Sequence, residues 1–114
     1  MDVRDVAFMH VWAFENAAKS DGERYIACAG FGPSQAAADV LSTKYKGTKI
    51  GEKIIKGTPG EGYVGFENGE VEKVGYLPDR VQVSGKKAER EMGVQYIPFQ
   101  KSIVDTAAVL KALL

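Results

Sequence analysis

The chain has one cysteine, Cys28, and one histidine, His10, in 114 residues. A lone cysteine excludes an internal disulfide framework and a Cys-rich zinc site, and a lone imidazole leaves few ligands for any transition metal. A reducing compartment fits this usage, so a cytoplasmic protein is expected. Net charge is missing as well. The 15 basic and 15 acidic side chains cancel, so no bulk field recruits polyanions, and neither nucleic acid nor a membrane is expected as a partner. No run approaches the roughly 18 apolar residues of a spanning helix. The opening Met1-Asp2-Val3-Arg4-Asp5 has acid where a secretory or transit peptide places basic residues before an apolar stretch.

Apolar residues make up 45% of the sequence, enough for one core and too few for two ordinary domains at this length. The expected organisation is a single unit over 1–114. Of the 13 glycines, ten lie between Gly30 and Gly75, which predicts a loop-rich middle between ordered ends. Asp5 reads as an N-cap for a helix over 6–20, stopped by Asp21-Gly22. Between Val6 and Phe14 its only polar side chain is His10, so the first half is apolar on nearly every face and requires cover on several sides. Residues 23–29 read as a strand buried on both faces, closed by Gly30-Phe31-Gly32-Pro33.

Ser34 is placed to cap a second helix, 35–44, with Ala37, Val40 and Leu41 facing inward. A glycine- and lysine-rich excursion and a hairpin are expected over about 46–80. The hairpin pairs 63–66 with 71–76 across Asn68-Gly69, the dipeptide suited to a tight two-residue turn. A short strand at 81–83 precedes a helix over 85–92 capped by Ser84 and stopped by Gly93. Residues 94–98 are extended, and an amphipathic helix runs from about Lys101 to the end.

Local motifs invite chemistry without completing it. Gly60-Glu61-Gly62-Tyr63-Val64-Gly65 spells G-x-G-x-x-G, with Asp79 downstream at about the distance of a ribose-binding acid. A dinucleotide cradle needs those glycines to leave a buried strand and open a helix. Here a Lys/Gly/Pro loop precedes them and Asn68-Gly69 follows, so they read as a loop beside a hairpin. Tyr45 and Lys49 match Y-x-x-x-K, in which a helical turn sets lysine beside tyrosine and lowers its pKa for proton donation. Gly47 and Thr48 stand where that turn would be. Cys28, in an apolar setting, reads as a structural thiol. His10 reads as hydrogen-bonded to a neighbouring element, and the lysines from Lys44 to Lys56 as a solvated face.

The order of the segments is more informative. Asp2-Val3-Arg4-Asp5-Val6-Ala7 followed by His10, then Glu23-Arg24-Tyr25-Ile26, then Ser84 with Lys86 to Gly93, then Ile97-Pro98-Phe99 through Ser102-Ile103-Val104-Asp105-Thr106, resembles the C-terminal third of extended short-chain dehydrogenase/reductases. The nearest look is that of the cinnamoyl-CoA reductase, dihydroflavonol reductase and fungal-type aldehyde or ketone reductase branch of the NAD-dependent epimerase/dehydratase superfamily. The likeness spans nearly the whole chain and is loosest over 46–80. Met9 stands where the family has a small residue, and Phe8 is bulkier than its usual counterpart.

In that family the nucleotide fingerprint and the catalytic serine, tyrosine and lysine lie upstream of the D-V-R-D-V-A segment, which only Met1 precedes here. The resemblance therefore implies no catalytic, cofactor-binding or metal residue in this chain, and sets Tyr45 to Lys49 and Gly60 to Gly65 on the substrate side. It implies an α/β fold of four helices and a few short strands, the C-terminal lobe of a Rossmann-type reductase without its nucleotide-binding sheet. The expected function is a substrate-binding lobe of an NAD(P)H-dependent carbonyl reductase, inactive alone. NADPH or NADH would serve the parent enzyme, together with a small carbonyl substrate. Asp2, Arg4, Asp5, His10 and Trp12 are the expected structural or interdomain residues. The partner is either the nucleotide-binding lobe or a second copy through helix 6–20. The alternative is a non-enzymatic interaction module that uses the same exposed apolar helix.

Overall fold

A computed structural model describes residues 1–113. Six helices and one two-stranded antiparallel sheet form a small mixed α/β unit, in the order α1 (Val3–Glu15), α2 (Ala17–Ser20), α3 (Ser34–Lys44), α4 (Lys49–Lys53), β1 (Val64–Glu67), β2 (Glu70–Gly75), α5 (Lys86–Met92) and α6 (Phe99–Leu113). The expectation was four helices. The first divides at Asn16, whose backbone leaves the helical region and whose side-chain amide donates to the Trp12 carbonyl. The short α4 arises inside the glycine-rich excursion, where the Thr48 hydroxyl accepts the Gly51 N–H.

The helix ends follow local chemistry, with several shifts from expectation. Asp2, not Asp5, caps α1, its carboxylate accepting the Arg4 N–H. Asp5 is instead buried and accepts the Ile97 N–H at 3.0 Å. Pro33 occupies the cap position of α3, so Ser34 is its first helical residue. Gly85 takes the cap position of α5, while the Ser84 hydroxyl still accepts the Lys86 N–H. Gly93 closes that helix in the left-handed conformation, where a side chain would be strained. The last helix starts at Phe99, directly after Pro98, which supplies the carbonyl for the Ser102 N–H.

The hairpin forms where the sequence places it. Asn68 and Gly69 both have positive φ, the signature of the primed turn that matches strand twist. Phe66 pairs with Val71 and Val64 with Gly75, with a register irregularity between Val64 and Phe66. Gly65 sits there at positive φ, and the Lys73 backbone occupies the space a Cβ would need, so two separate constraints call for glycine.

Two expected strands do not form. Residues 23–29 and 81–83 carry no sheet partner among the described residues. A strand persists only where a neighbour accepts its ladder hydrogen bonds, and the one sheet here ends at β1 and β2. Nor is 23–29 buried on both faces, since Ile26 and Ala27 are exposed. The two stretches still approach each other, with the Cys28 thiol 3.5 Å from the Val83 carbonyl and the Cys28 carbonyl against Gly85.

The main core is small. Met9 of α1, Ala88 and Met92 of α5 and Val94 are buried together, with Trp12, Ala13, Tyr25 and Tyr96 packed around them. A second centre pins the excursion to α3. The buried Asp39 carboxylate accepts the Tyr63 hydroxyl at 2.6 Å, the Gly60 N–H at 2.8 Å and the Gln35 amide at 2.8 Å. Burial and the adjacent carboxylate push the Tyr63 phenol well above its ordinary range, so it remains a donor at every physiological pH.

The molecule is a slab, 52 × 38 × 16 Å, with a radius of gyration of 16.5 Å. A compact domain of 114 residues has a radius near 13 Å. The chain exposes 8237 Å², against about 6,100 Å² for a monomer of its 12.3 kDa mass.

Met9 is 6% exposed and Phe14 85% exposed on the same helix, so truncating each should have unequal effects. Met9→Ala should cost about 2 kcal/mol or more, and Phe14→Ala should stay within about 0.5 kcal/mol. Chemical denaturation of both variants beside the parent chain checks this, and similar losses would refute the assignment of inner and outer faces.

Candidate functional site

The residues singled out from the sequence gather at α1, in two distinct environments. At its N-terminus, Asp2 accepts from the Arg4 Nε at 2.9 Å and the Arg4 Nη2 at 2.8 Å, a two-point guanidinium–carboxylate pair. The same Nη2 reaches Asp105 of α6 at 2.8 Å, and the Lys101 ammonium joins that carboxylate at 2.8 Å. Arg4 beside Asp2, and Lys101 with Arg4 beside Asp105, hold both carboxyls below the ordinary carboxylate value. Arg4 therefore ties the first turn of α1 to α6, and Asp5 ties the next residues to the 94–98 segment.

Trp12 lies on the inner face, edge-on to Tyr25 with ring centroids 6.2 Å apart. Tyr25 in turn carries the Lys87 ammonium 4.6 Å from its ring centre. Asp2, Arg4, Asp5 and Trp12 thus hold α1 onto its own chain. His10 differs. It is exposed, with ring Nδ1 2.8 Å from the Val6 carbonyl on its own helix, so its hydrogen bond is not to a neighbouring element as expected.

The outer face of α1 is the larger feature. Val3, Phe8, Val11 and Phe14 are all exposed, and Ala7 lies among them. Val3, Ala7, Val11 and Phe14 follow helical spacing and share one stripe. Apolar cover is absent only on this side, because Met9 is buried and Val6, Trp12 and Ala13 are half-buried on the other. Single exposed apolar side chains are ordinary, but several along one stripe make this face the candidate interaction surface.

The local motifs take their places in this frame. Tyr45 is the C-cap of α3 and Lys49 the first residue of α4, with Gly47 at positive φ between them, so no single helical turn joins the pair. Gly60 to Gly65 lead into β1 and not into a helix. Cys28 is half-buried in an extended segment rather than a strand. Among the described residues no cluster of His, Cys, Asp and Glu could hold a metal ion, and no helix is long and apolar enough to cross a membrane.

Two features escaped the sequence. Asp39, in the middle of α3, is the anchor of the glycine-rich loop; its only trace was an acid among the inward-facing apolar positions of that helix. The other is a cleft of about 630 Å³ between the start of α6, the 29–32 loop and β2. No protein-family model, curated protein or solved structure matches the chain.

The depressed carboxyls give a pH dependence of definite sign. A carboxylate whose folded pKa lies below its unfolded value contributes stability above the unfolded value and loses it as pH falls through the folded one. For Asp2 and Asp105 the contribution is intact near neutrality and erodes as pH drops below the ordinary value of 3.8. Thermal melts between pH 6 and 2 should show a smaller acid-induced loss in the Asp2→Asn, Asp105→Asn variant than in the parent. Equal losses would contradict a stabilising role for these pairs.

Proposed function

We propose that the chain is the substrate-side lobe of an NAD(P)H-dependent carbonyl reductase of the extended short-chain type, working with a nucleotide-binding lobe that packs on α1. The observation that carries the reading is the uncovered outer face of α1 in a chain that exposes about 2,100 Å² more than a compact monomer of its mass. That excess exceeds the roughly 800 Å² per partner of a standard interface and suits a permanent one. Each large apolar side chain left in water forgoes about 1.5–3 kcal/mol. Phe8, Val11 and Phe14 together therefore represent a sizeable share of the 5–15 kcal/mol, roughly, that keeps an ordinary domain folded.

The extended segments 23–29 and 81–83 support the same reading. Both have strand-like composition and lack a ladder partner among the described residues, as they would if their sheet lay in another lobe. The resemblance of Asp2 to Ala7, Glu23 to Ile26, Lys86 to Gly93 and Ile97 to Thr106 names the kind of lobe. In this account a nucleotide-binding lobe supplies the cofactor site and the proton donor, and the present chain shapes the space above a small aldehyde, ketone or acyl thioester. An interaction module using the same helix is the competing outcome.

The test combines the chain with the nucleotide-binding lobe of a related reductase whose own C-terminal lobe has been removed. Stoichiometric complex formation with NADPH-dependent reduction of a panel of aldehydes and ketones is expected, and Val11→Lys with Phe14→Glu should abolish both. The chain alone should neither bind NADPH tightly nor turn over. Micromolar NADPH binding with turnover by the isolated chain would overturn the reading. In the reconstituted enzyme, Tyr45→Phe and Lys49→Ala should change the rate by no more than a few fold, since loss of a true general acid costs on the order of a hundredfold or more.

A further inference from the structure

We propose that the lysine-rich face formed by the end of α3, by α4 and by the residues just after it docks on an anionic lipid surface, with Ile55 entering the headgroup layer. This goes beyond the reductase reading and does not depend on it. Charge is balanced over the chain but not along it. Residues 44–56 carry Lys44, Lys46, Lys49, Lys53 and Lys56 against the single acid Glu52. The zero net charge that argues against a membrane for the whole chain therefore conceals a local excess.

The fold gathers these lysines and leaves them in water. Lys44 ends α3, and the Lys56 carbonyl accepts the Gln35 amide in the first turn of the same helix. The excursion thus leaves from one end of α3 and returns to the other, roughly 14 Å away, which keeps all five lysines on one part of the surface. Among the described residues α4 touches no helix or strand but α3. Lys49 and Lys53 lie one turn apart on α4 and share a face. All five lysines are exposed. No carboxylate among the described residues, Glu52 and the glutamates of 61–72 included, forms an ion pair with any of them.

The apolar residue in their midst decides the kind of anion. Ile55 stands between Lys53 and Lys56 and is 87% exposed, while Ile50 and Ile54 are half-buried. Surfaces that take up nucleic acid pair basic groups with exposed aromatic rings, and the one aromatic residue of this stretch, Tyr45, is half-buried. At a bilayer the isoleucine reaches the boundary of the acyl chains while the lysine stems carry their ammoniums to the anionic headgroups. Each lysine within the screening length of such a surface strengthens binding roughly fivefold.

The experiment is co-sedimentation of the full chain with vesicles of phosphatidylcholine containing about one-third phosphatidylserine, beside pure phosphatidylcholine vesicles and a parallel titration of a short DNA duplex. Saturable binding to the anionic vesicles alone is expected, lost in about 0.5 M salt, where the screening length falls below roughly 5 Å. Lys49→Ala, Lys53→Ala and Lys56→Ala together should weaken it on the order of a hundredfold. Ile55→Ser should weaken it severalfold, and both variants should keep the parent's melt because these side chains are exposed. The Val11→Lys, Phe14→Glu variant of α1, unchanged in net charge, should bind like the parent. No binding, equal binding to pure phosphatidylcholine, loss of binding in the α1 variant, survival of binding in the triple variant, indifference to Ile55→Ser, or DNA binding as tight as vesicle binding would overturn the proposal.

Discussion

One helix with two apolar faces governs this molecule. A chain of 114 residues has a high surface-to-volume ratio, and here it assembles only enough apolar surface to cover one side of α1. Met9 and Trp12 take that cover from α5, Val94 and Tyr25, while Arg4 and Asp5 fasten the same helix to α6 and to the segment before it. With the inner side engaged, Val3, Ala7, Val11 and Phe14 turn outward together. Exposed apolar side chains elsewhere, Ile55, Val81 and Leu113 among them, add to the large accessible surface.

Energetics and the proposed function meet at this face. Folding leaves part of the hydrophobic driving force unused, and burying that remainder favours whatever body covers α1. Two extended segments without ladder partners among the described residues leave backbone N–H and C=O groups open to a neighbouring strand. The Asp39 cluster plays a different part: it secures the glycine-rich excursion against α3 and keeps the hairpin beside the cleft, so that β2 and the 29–32 loop face the first turns of α6.

Elements that depend on residues close in sequence were legible without the structure. Asn68-Gly69 specified its turn through two positive φ angles, Gly93 ended α5 through one, and the amphipathic pattern after Pro98 produced α6. Elements that depend on a distant partner were not. Residues 23–29 have the composition of a buried strand and remain extended, because composition reports what a segment could pair with and not whether a neighbour is present. Asp5 was read as a cap because it precedes the apolar run, but Asp2 caps one turn earlier and frees Asp5 to accept the Ile97 N–H. Trp12, expected as a structural or interdomain residue, packs edge-on to Tyr25 of its own chain. The exposed stripe itself was foreseeable from the nearly unbroken apolar run between Val6 and Phe14; which residues compose it was decided by where α5 docks.

The most direct measurement is sedimentation velocity of the unmodified chain over a wide concentration range, beside the Val11→Lys, Phe14→Glu variant, with a hydrophobic dye and a thermal melt on each. An uncovered face predicts concentration-dependent self-association and dye binding in the parent chain and a dispersed, dye-silent monomer in the variant. A dye-silent parent monomer with a sharp cooperative transition would show that α1 needs no partner and would contradict the account.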